Sequence, residues 1–152
     1  VHLSEMPEKL RNGLVNEDLP EFETTPWADG PPLAERRITL ISTAGLKRTD
    51  DRPFLPGAND FRVLPGDLDF ADLQLNHVSV NFDRSGFQQD ANVVFPLERP
   101  RELESSGKIG SVAARHYSFM GATDPEKMDE TGAEVARLLQ GDGVTGALLI
   151  PV

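Results

Sequence analysis

The chain of 152 residues fits one domain, and its net charge of −10, from 25 acidic and 15 basic residues, argues against a general affinity for nucleic acid phosphates. Its longest apolar runs fall far short of the ~20 residues of a membrane span, and "VHLSEMPEKLRNG" lacks the pattern of a secretory signal, so we expect a cytoplasmic protein without membrane partners. No cysteine is present, which excludes disulfides, thiolate metal sites and cysteine nucleophiles within these residues.

Residues 1–37 are predicted to form an arm that packs on the domain. Ser4 is expected to cap a short helix through "PEKLRNGL" that ends near Gly13. The stretch "PEFETTPWADGPPL" is rich in Pro and Gly, which predicts an extended segment anchored by Trp27. The alternative is a disordered arm, and the apolar side chains of Phe22 and Trp27 favour docking.

Residues 38–152 are predicted to form a single α/β domain that is incomplete at its C-terminus. The β-branched run 38–44, ending at Gly45, is typical of a central strand covered on both faces. A long loop is expected over 47–60. "FRVL", the turn "PGD" and "LQLNHVSVNF" then indicate a pair of short strands, the second of which alternates Leu73, Leu75 and His77.

The second half of the domain alternates helices and strands. A second irregular stretch, "DRSGFQQDANVV", precedes a helix over 96–106 that closes at Gly107. "SVAARHYSFMGA" is a strand with its loop, and Asp124–Pro125 is a helix start. That helix is expected to end at Gly141. One of its faces would carry Met128, Val135 and Leu138 or Leu139. The last strand is "GALLIPV".

This order predicts a mainly parallel, Rossmann- or flavodoxin-like sheet flanked by helices, with the arm and a long irregular insertion added. The carboxyl ends of the strands in such a sheet form the binding crevice. Three segments are therefore expected to meet there: "STAGL" with Ser42 and Thr43, "SFMGATD", and whatever follows "LLIPV".

The densest group of polar residues is "HVSVNFDRSGFQQD". On a strand, four of its side chains would share one face, because side chains alternate with period two: His77, Ser79, Asn81 and Asp83. Such a face suits the wall of a pocket, and a solvated strand followed by an Asp–Arg turn is the alternative. The stretch continues with Arg84, Gln88 and Gln89.

His116 in "RHYSFMGATD" is a second candidate, either as a proton donor beside His77 or as an ordinary hydrogen-bonded core histidine. Two distant histidines with scattered carboxylates make a weak metal signal, so no metal is expected. The helix start at "ATDPE" could favour an anion, although Asp124 itself can fill that role. No G-x-S-x-G elbow of a serine hydrolase is present.

Five stretches together resemble the glycine/sarcosine/betaine/D-proline reductase selenoprotein B family, in particular its short D-proline-reductase-like members, over about residues 20 to 152. They are "LISTAGLKRTDDRPF", "FRVLPGD", "HVSVNFDRSGFQQDANVVFPLERPREL", "GSVAARHYSFMGATDP" and "DGVTGALLIPV". In that family the segment matching "LLIPV" is followed by selenocysteine or cysteine. Because selenocysteine is encoded by UGA, we expect that this chain is cut just before its nucleophile.

The resemblance implies reductive cleavage of a C–N bond in a small amino-acid-like substrate, with thiol/disulfide electron transfer. It implies partner reductase subunits, and the pyruvoyl group that activates the substrate in these reductases would come from a partner subunit or be absent, because no pyruvoyl precursor site is evident here. The uncovered apolar last strand separately predicts a homo-oligomer. The pocket would contain His77, Asn81, Asp83, Arg84, Gln88, Gln89 and His116, with Arg84 as the partner of a substrate carboxylate and a histidine as general acid. The chain itself holds no catalytic nucleophile.

Two further hypotheses stay open. The chain could be a non-catalytic binding or assembly subunit that pairs through its last strand. An unrelated lyase or racemase is weaker, because such enzymes usually need a carboxylate or thiol pair that is not visible here.

Overall fold

Strand β1 lies at the centre of the sheet in this computed structural model, which describes residues 2–16, 21, 23, 25, 28–79 and 84–152. The helices in chain order are α1 (Glu8–Val15), α2 (Ser85–Gln89), α3 (Glu98–Ser105) and α4 (Asp129–Gly141). The strands are β1 (Arg37–Ser42), β2 (Leu46–Arg48), β3 (Phe61–Pro65), β4 (Leu73–Leu75), β5 (Ser111–Val112), β6 (Arg115–Phe119) and β7 (Gly146–Ile150).

Both edges of β1 are paired, and all its partners run parallel to it. On one edge β7 pairs from Ile38↔Gly146 to Ser42↔Ile150. Since Ile38 also pairs with Val112, β5 must lie on the opposite edge, where β6 continues the pairing at Ile41↔Tyr117. The predicted central strand is therefore confirmed.

The outer strand β3 pairs with β6 in antiparallel fashion, which makes the sheet mixed. Strands β2 and β4 form a separate antiparallel ribbon in the register Leu46↔Leu75 to Arg48↔Leu73. The α/β class is thus confirmed, while the antiparallel β3 departs from the mainly parallel pattern. The predicted loop over 47–60 is also wrong at its start, since Lys47 and Arg48 belong to β2.

Alternate residues of β1 supply two cores on opposite faces of the sheet. Leu40 belongs to a cluster that includes Leu64, Phe95 and Leu97. Ile41 packs on the other side, against the cluster of Tyr117, Phe119 and Val135, to which Leu138 and Leu139 of α4 contribute. The β-branched and leucine-rich sequence of β1 follows from this burial on both faces.

The helix signals of the second half are confirmed with small shifts. Asp124 accepts a hydrogen bond from the Glu126 amide and opens a 3₁₀ turn that leads into α4. Helix α3 starts at Glu98 rather than 96 and carries Pro100 in its first turn, where a missing N–H costs nothing. Gly107, past its end, has the left-handed φ of 69° that glycine adopts readily.

The arm differs from the prediction at its helix. Ser4 lies in a 3₁₀ turn, and α1 begins only after Pro7 and runs through Gly13 to Val15. Proline suits the residue that precedes the first turn, and Gly13 is simply carried within the helix. Phe22 and Trp27 lie outside the described residues, so the docking of the arm stays a prediction.

No helix in the described part of the chain is long and apolar enough to cross a bilayer.

Candidate functional site

The carboxyl ends of β1, β6 and β7 meet at Thr43. The Gly121 amide donates a hydrogen bond to the Thr43 carbonyl oxygen over 2.9 Å. The Val152 amide donates to Thr43 Oγ1 over 2.9 Å, and the hydroxyl lies 3.4 Å from the Val152 carbonyl oxygen. The predicted meeting of "STAGL" with "SFMGATD" is therefore confirmed, and the end of "LLIPV" lies beside both, whereas a segment that follows it stays a prediction; we call Thr43, Gly121 and Val152 the carboxyl-edge cluster.

Gly121 allows this close approach because it has no side chain. A Cβ atom there would lie 2.8 Å from the Thr43 carbonyl oxygen and 2.9 Å from that of Val152. Real Cβ atoms essentially never come so close to a backbone oxygen. Gly121 was not among the predicted site residues, although its position in "SFMGATD", just after a strand, was a signal for it.

Ser42 points to the opposite face from Thr43 and is fully buried. Its hydroxyl donates to the Val94 carbonyl oxygen over 2.8 Å and accepts from the Ala44 amide over 3.2 Å. Ser42 therefore ties the end of β1 to the segment before α3, and its side chain has no contact with solvent.

His77 lies beside the turn that follows β1. Gly45 adopts a φ of +64°, and its carbonyl oxygen accepts from the Asn76 amide over 2.9 Å. A Cβ on Gly45 would lie 3.0 Å from His77 Cα and 3.0 Å from Met120 Cε. His77 is thus packed between two of the loops that build the carboxyl edge.

The His77 ring and Arg84 order the backbone around residue 78. Nδ1 of His77 accepts from the Ser79 amide over 3.1 Å, so this nitrogen carries no proton. The Arg84 guanidinium donates to the carbonyl oxygens of His77 and Ser79. Burial lowers the pKa of His77 and the nearby Arg84 charge lowers it further, which favours an uncharged ring at neutral pH.

The predicted polar strand face is wrong in its first half. Strand β4 ends at Leu75; the Asn76 amide still donates to Gly45, the next residue of the β2 register, and the Asn76 side chain accepts from the Phe54 amide. His77 and Ser79 therefore lie in irregular backbone. Asn81 and Asp83 lie outside the described residues.

Gln88 and Gln89 are exposed on the short helix α2. They border a cavity of about 420 Å³ whose apolar wall includes Phe70, Leu73 and Phe87. Neither His77 nor His116 is among the described residues that line this cavity. The structure therefore places the two glutamines and the two histidines in different surroundings.

Asn92 holds the acidic rim of that cavity. Its side-chain amide donates to Asp90 over 2.9 Å and to Glu98 over 2.7 Å. The Asn92 backbone amide also donates to Asp90, and these bonds lower the pKa of that carboxyl. Both carboxylates already have partners in the protein, so the rim is ordered by internal hydrogen bonds.

His116 is completely buried on the Leu40 face of the sheet. Its Nδ1 accepts from the Leu40 amide over 3.0 Å, and its ring meets the edge of Phe95 at 5.7 Å between centroids. Its Nε2 has no hydrogen-bond partner among the described residues. Burial lowers the pKa of His116 to about 4, with a smaller contribution from Arg101, so the ring is neutral at physiological pH.

Within the described ranges, no three His, Asp or Glu side chains lie close enough to hold a metal ion. Beside the carboxyl-edge cluster, His77 packs against Gly45, on which a Cβ would lie 3.0 Å from both His77 Cα and Met120 Cε.

Comparisons with known proteins identify the chain's relatives. Residues 64–151 match the family model described as glycine/sarcosine/betaine reductase selenoprotein B. The D-proline reductase subunit gamma of Acetoanaerobium sticklandii is 34% identical over 120 residues, which cover 77% of this chain and 49% of that protein. No solved structure matches.

Two further relatives are subunits of related complexes. The betaine reductase complex component B subunit beta of Peptoclostridium acidaminophilum is 29% identical over 77% of this chain and 28% of its own length. The glycine reductase complex component B subunit gamma of Carboxydothermus hydrogenoformans is 26% identical over 86% of this chain and 32% of its own length. This chain thus spans half or less of each relative's length, and it belongs to the glycine/sarcosine/betaine reductase selenoprotein B family.

Proposed function

We propose that this chain is the N-terminal portion of a selenocysteine- or cysteine-dependent reductase of the glycine/sarcosine/betaine/D-proline reductase type. Its reaction is the reductive cleavage of a C–N bond: the amine leaves with one proton, and the carbon takes up a second proton and two electrons. A dithiol that ends as a disulfide supplies the two protons and the two electrons. The reactive selenocysteine or cysteine follows Val152 in the natural product. Family membership and the subunit names of the relatives support this proposal.

The carboxyl-edge cluster is the observation that carries the proposal. The hydrogen bond from Val152 to Thr43 and the close approach of Gly121 fix the backbone just before the expected nucleophile. A residue attached to Val152 would emerge at the carboxyl ends of three parallel strands, where α/β proteins bind ligands. The protein's contribution there is to hold the nucleophile in a defined position.

His77 and Arg84 are the candidates for substrate handling. Since burial and Arg84 favour the neutral His77 ring, this histidine would act by hydrogen bonding rather than as a standing positive charge. Arg84 would pair with the carboxylate of a small amino-acid-like substrate, because a guanidinium binds carboxylates through two parallel hydrogen bonds. Asn81, Asp83, Gln88 and Gln89 stay proposed pocket residues, whereas His116 could reach a ligand only if the core opened.

The same proposal includes the remaining features of such a system. We propose a cytoplasmic oligomer with partner reductase subunits, one of which supplies a pyruvoyl group that activates the substrate. We further propose that the rest of the natural protein completes a Rossmann- or flavodoxin-like sheet.

The decisive experiment determines the nucleotides after the Val152 codon. An in-frame UGA followed by further α/β coding sequence, together with selenium at position 153 of the product by mass spectrometry, would support the proposal. A UAA or UAG codon without a downstream reading frame would overturn it. A second candidate function would then lead: a non-catalytic assembly subunit, which the exposed Leu148 and Leu149 of β7 favour.

A further inference from the structure

A basic cavity of about 580 Å³, which we call the arginine cavity, lies beside β3 and is large enough for a small molecule. Its described lining comes from the end of β2 and the turn after it, from β3, and from the start of β6. One carboxylate of this lining, Asp51, stands against four arginines: Arg48, Arg52, Arg62 and Arg115. Since the whole chain carries a net charge of −10, this local excess of positive charge is exceptional within it. A cleft lined by one sign of charge attracts ions of the opposite sign.

Three of these arginines are each paired with an aspartate, and in every pair the arginine side chain is the more exposed of the two. The pairs are Arg48–Asp51, Arg52–Asp60 and Arg115–Asp142. The difference is largest for Arg52, which is 75% exposed against 32% for Asp60. The carboxylates therefore orient the guanidinium groups from the protein side, while the guanidinium groups stay open to solvent.

Each of the three guanidinium groups keeps N–H donors that no described residue accepts. Arg115 uses Nε and Nη2 for Asp142, so its Nη1 stays available. Arg52 donates to Asp60 through Nη2 alone. Arg48 approaches Asp51 only through Nε, at 3.6 Å, which leaves both of its Nη atoms available. A guanidinium has five N–H donors in a fixed plane, so these free groups can bind the oxygens of an anion.

Arg62 fixes Arg52 in place. The Arg62 side chain is itself buried, and its guanidinium lies 4.2 Å from the centroid of the Phe54 ring. Its Nε donates to the Arg52 carbonyl oxygen over 3.0 Å, and its Nη1 donates over 3.0 Å to the same Asp60 oxygen that accepts from Arg52. Arg52 is therefore ordered before a ligand arrives, which lowers the entropy cost of binding.

One wall of the arginine cavity is apolar. It consists of three side chains of β3: Phe61, Val63 and Pro65. The Phe61 ring is held by an edge contact with Tyr117, at 5.7 Å between centroids. Val63 remains exposed in the middle of the strand. The cavity thus combines guanidinium groups with an apolar surface, which suits an anion that has an organic body.

We propose that the arginine cavity binds a small, water-soluble organic phosphate. A phosphate monoester carries a charge of about −1.5 to −2 at pH 7 and three strong acceptor oxygens, which three guanidinium groups can share. A carboxylate has one charge and two oxygens, which a single guanidinium already satisfies. The organic part of the ligand packs against the apolar wall formed by β3.

Isothermal titration of phenyl phosphate into the intact natural protein, at low salt and without phosphate buffer, tests this ligand class. We expect one phenyl phosphate per chain. Inorganic phosphate should bind at least several-fold more weakly, because it makes no contact with the apolar wall. Benzoate has the same ring but a single charge and should also bind at least several-fold more weakly. Absence of phenyl phosphate binding, or benzoate binding of equal strength, would overturn the proposal.

Arg52→Ala locates the site, with Arg99→Ala as the matched control. Arg99 is an exposed residue of α3 that pairs with Glu98 and Glu102 outside the arginine cavity, so its removal changes the net charge equally. We expect Arg52→Ala to raise the Kd for phenyl phosphate about tenfold, as for a lost hydrogen bond between charged groups, and Arg99→Ala to leave it unchanged. Arg48→Ala should act like Arg52→Ala.

Thermal melting followed by circular dichroism establishes that the variants fold. Equal affinities in folded Arg52→Ala, Arg48→Ala and Arg99→Ala would mean that phosphate is attracted only by the general field of the protein, and the proposed site would be abandoned. None of these measurements depends on reductase activity, so the outcome is separate from that of the proposed function.

Discussion

The Thr43 hydroxyl accepts the backbone amide of Val152 over 2.9 Å, which joins the ends of β1 and β7. The Thr43 carbonyl oxygen accepts a hydrogen bond from the Gly121 amide. One threonine therefore connects the ends of β1, β6 and β7 in the carboxyl-edge cluster. The backbone of Val152 is therefore held by this side chain in addition to the β1–β7 pairing that extends to Ile150.

Removal of this hydroxyl should loosen the end of β7. Thr43→Val keeps the shape and the β propensity but loses the acceptor, which costs about 1 kcal/mol for a typical hydrogen bond. We expect faster hydrogen exchange at the Val152 amide, with little change at the amides of β6. Thr43→Ser keeps the hydroxyl and should restore slow exchange. Unchanged exchange in Thr43→Val would show that the hydroxyl does not hold Val152.

Gly121→Ala should destabilise the protein. The new Cβ would lie 2.8 Å from the Thr43 carbonyl oxygen and 2.9 Å from that of Val152, so the strand ends must separate. Overpacking of this kind costs roughly 1–3 kcal/mol in free energy of unfolding, measured by urea denaturation.

The matched control for this substitution is Gly132→Ala in α4. A Cβ on Gly132 meets nothing within 4 Å, and alanine is the better helix former by about 1 kcal/mol. Gly132→Ala should therefore stabilise the protein, and two variants of similar stability would contradict the close contact at Gly121.

The sequence correctly predicted the elements whose apolar or capping residues match their place in the core or at a helix start. The apolar run of β1 and the Asp124–Pro125 start of the last helix lie where they were expected. The pattern around His77 failed because the pairing of β4 with β2 stops at the bond between Asn76 and Gly45, where Gly45 has a φ of +64°, and this partner is distant in sequence. The burial of His116 and its hydrogen bond from the Leu40 amide confirm the alternative of an ordinary core histidine, although the sequence does not reveal which face of the strand is covered.

Ser42→Ala should cost more than its small size suggests. The hydroxyl is fully buried and bonds both to the Val94 carbonyl oxygen and to the Ala44 amide, so alanine leaves buried backbone groups without this partner. An unsatisfied buried group costs about 1–3 kcal/mol. The control Ser105→Ala removes an exposed hydroxyl that bonds to Arg101 within α3, and its melting temperature should hardly change. Equal losses in the two variants would contradict this role of Ser42.

Protonation of His116 should destabilise the folded state. Its folded pKa is about 4, below the value of about 6.5 expected in the unfolded chain, so the unfolded state binds the proton more readily between these two pH values. The contribution of the neutral His116 ring to the free energy of unfolding is therefore at its full value above the pKa of the histidine in the unfolded chain. This contribution decreases as the pH falls toward 4. The shift corresponds to a loss of about 3 kcal/mol in free energy of unfolding across that window.

His116→Asn separates this effect from the titration of carboxylates. Asparagine can accept the Leu40 amide in place of Nδ1 but takes up no proton, so the variant should be less stable at pH 7 because of the cavity that the smaller side chain leaves. Between about pH 7 and pH 5, however, its free energy of unfolding should decline less steeply than that of the wild type, since the proton that the unfolded histidine gains is absent. Urea denaturation at several pH values measures both slopes. Parallel slopes would mean that the folded chain accommodates the charged ring, which the complete burial of His116 makes costly.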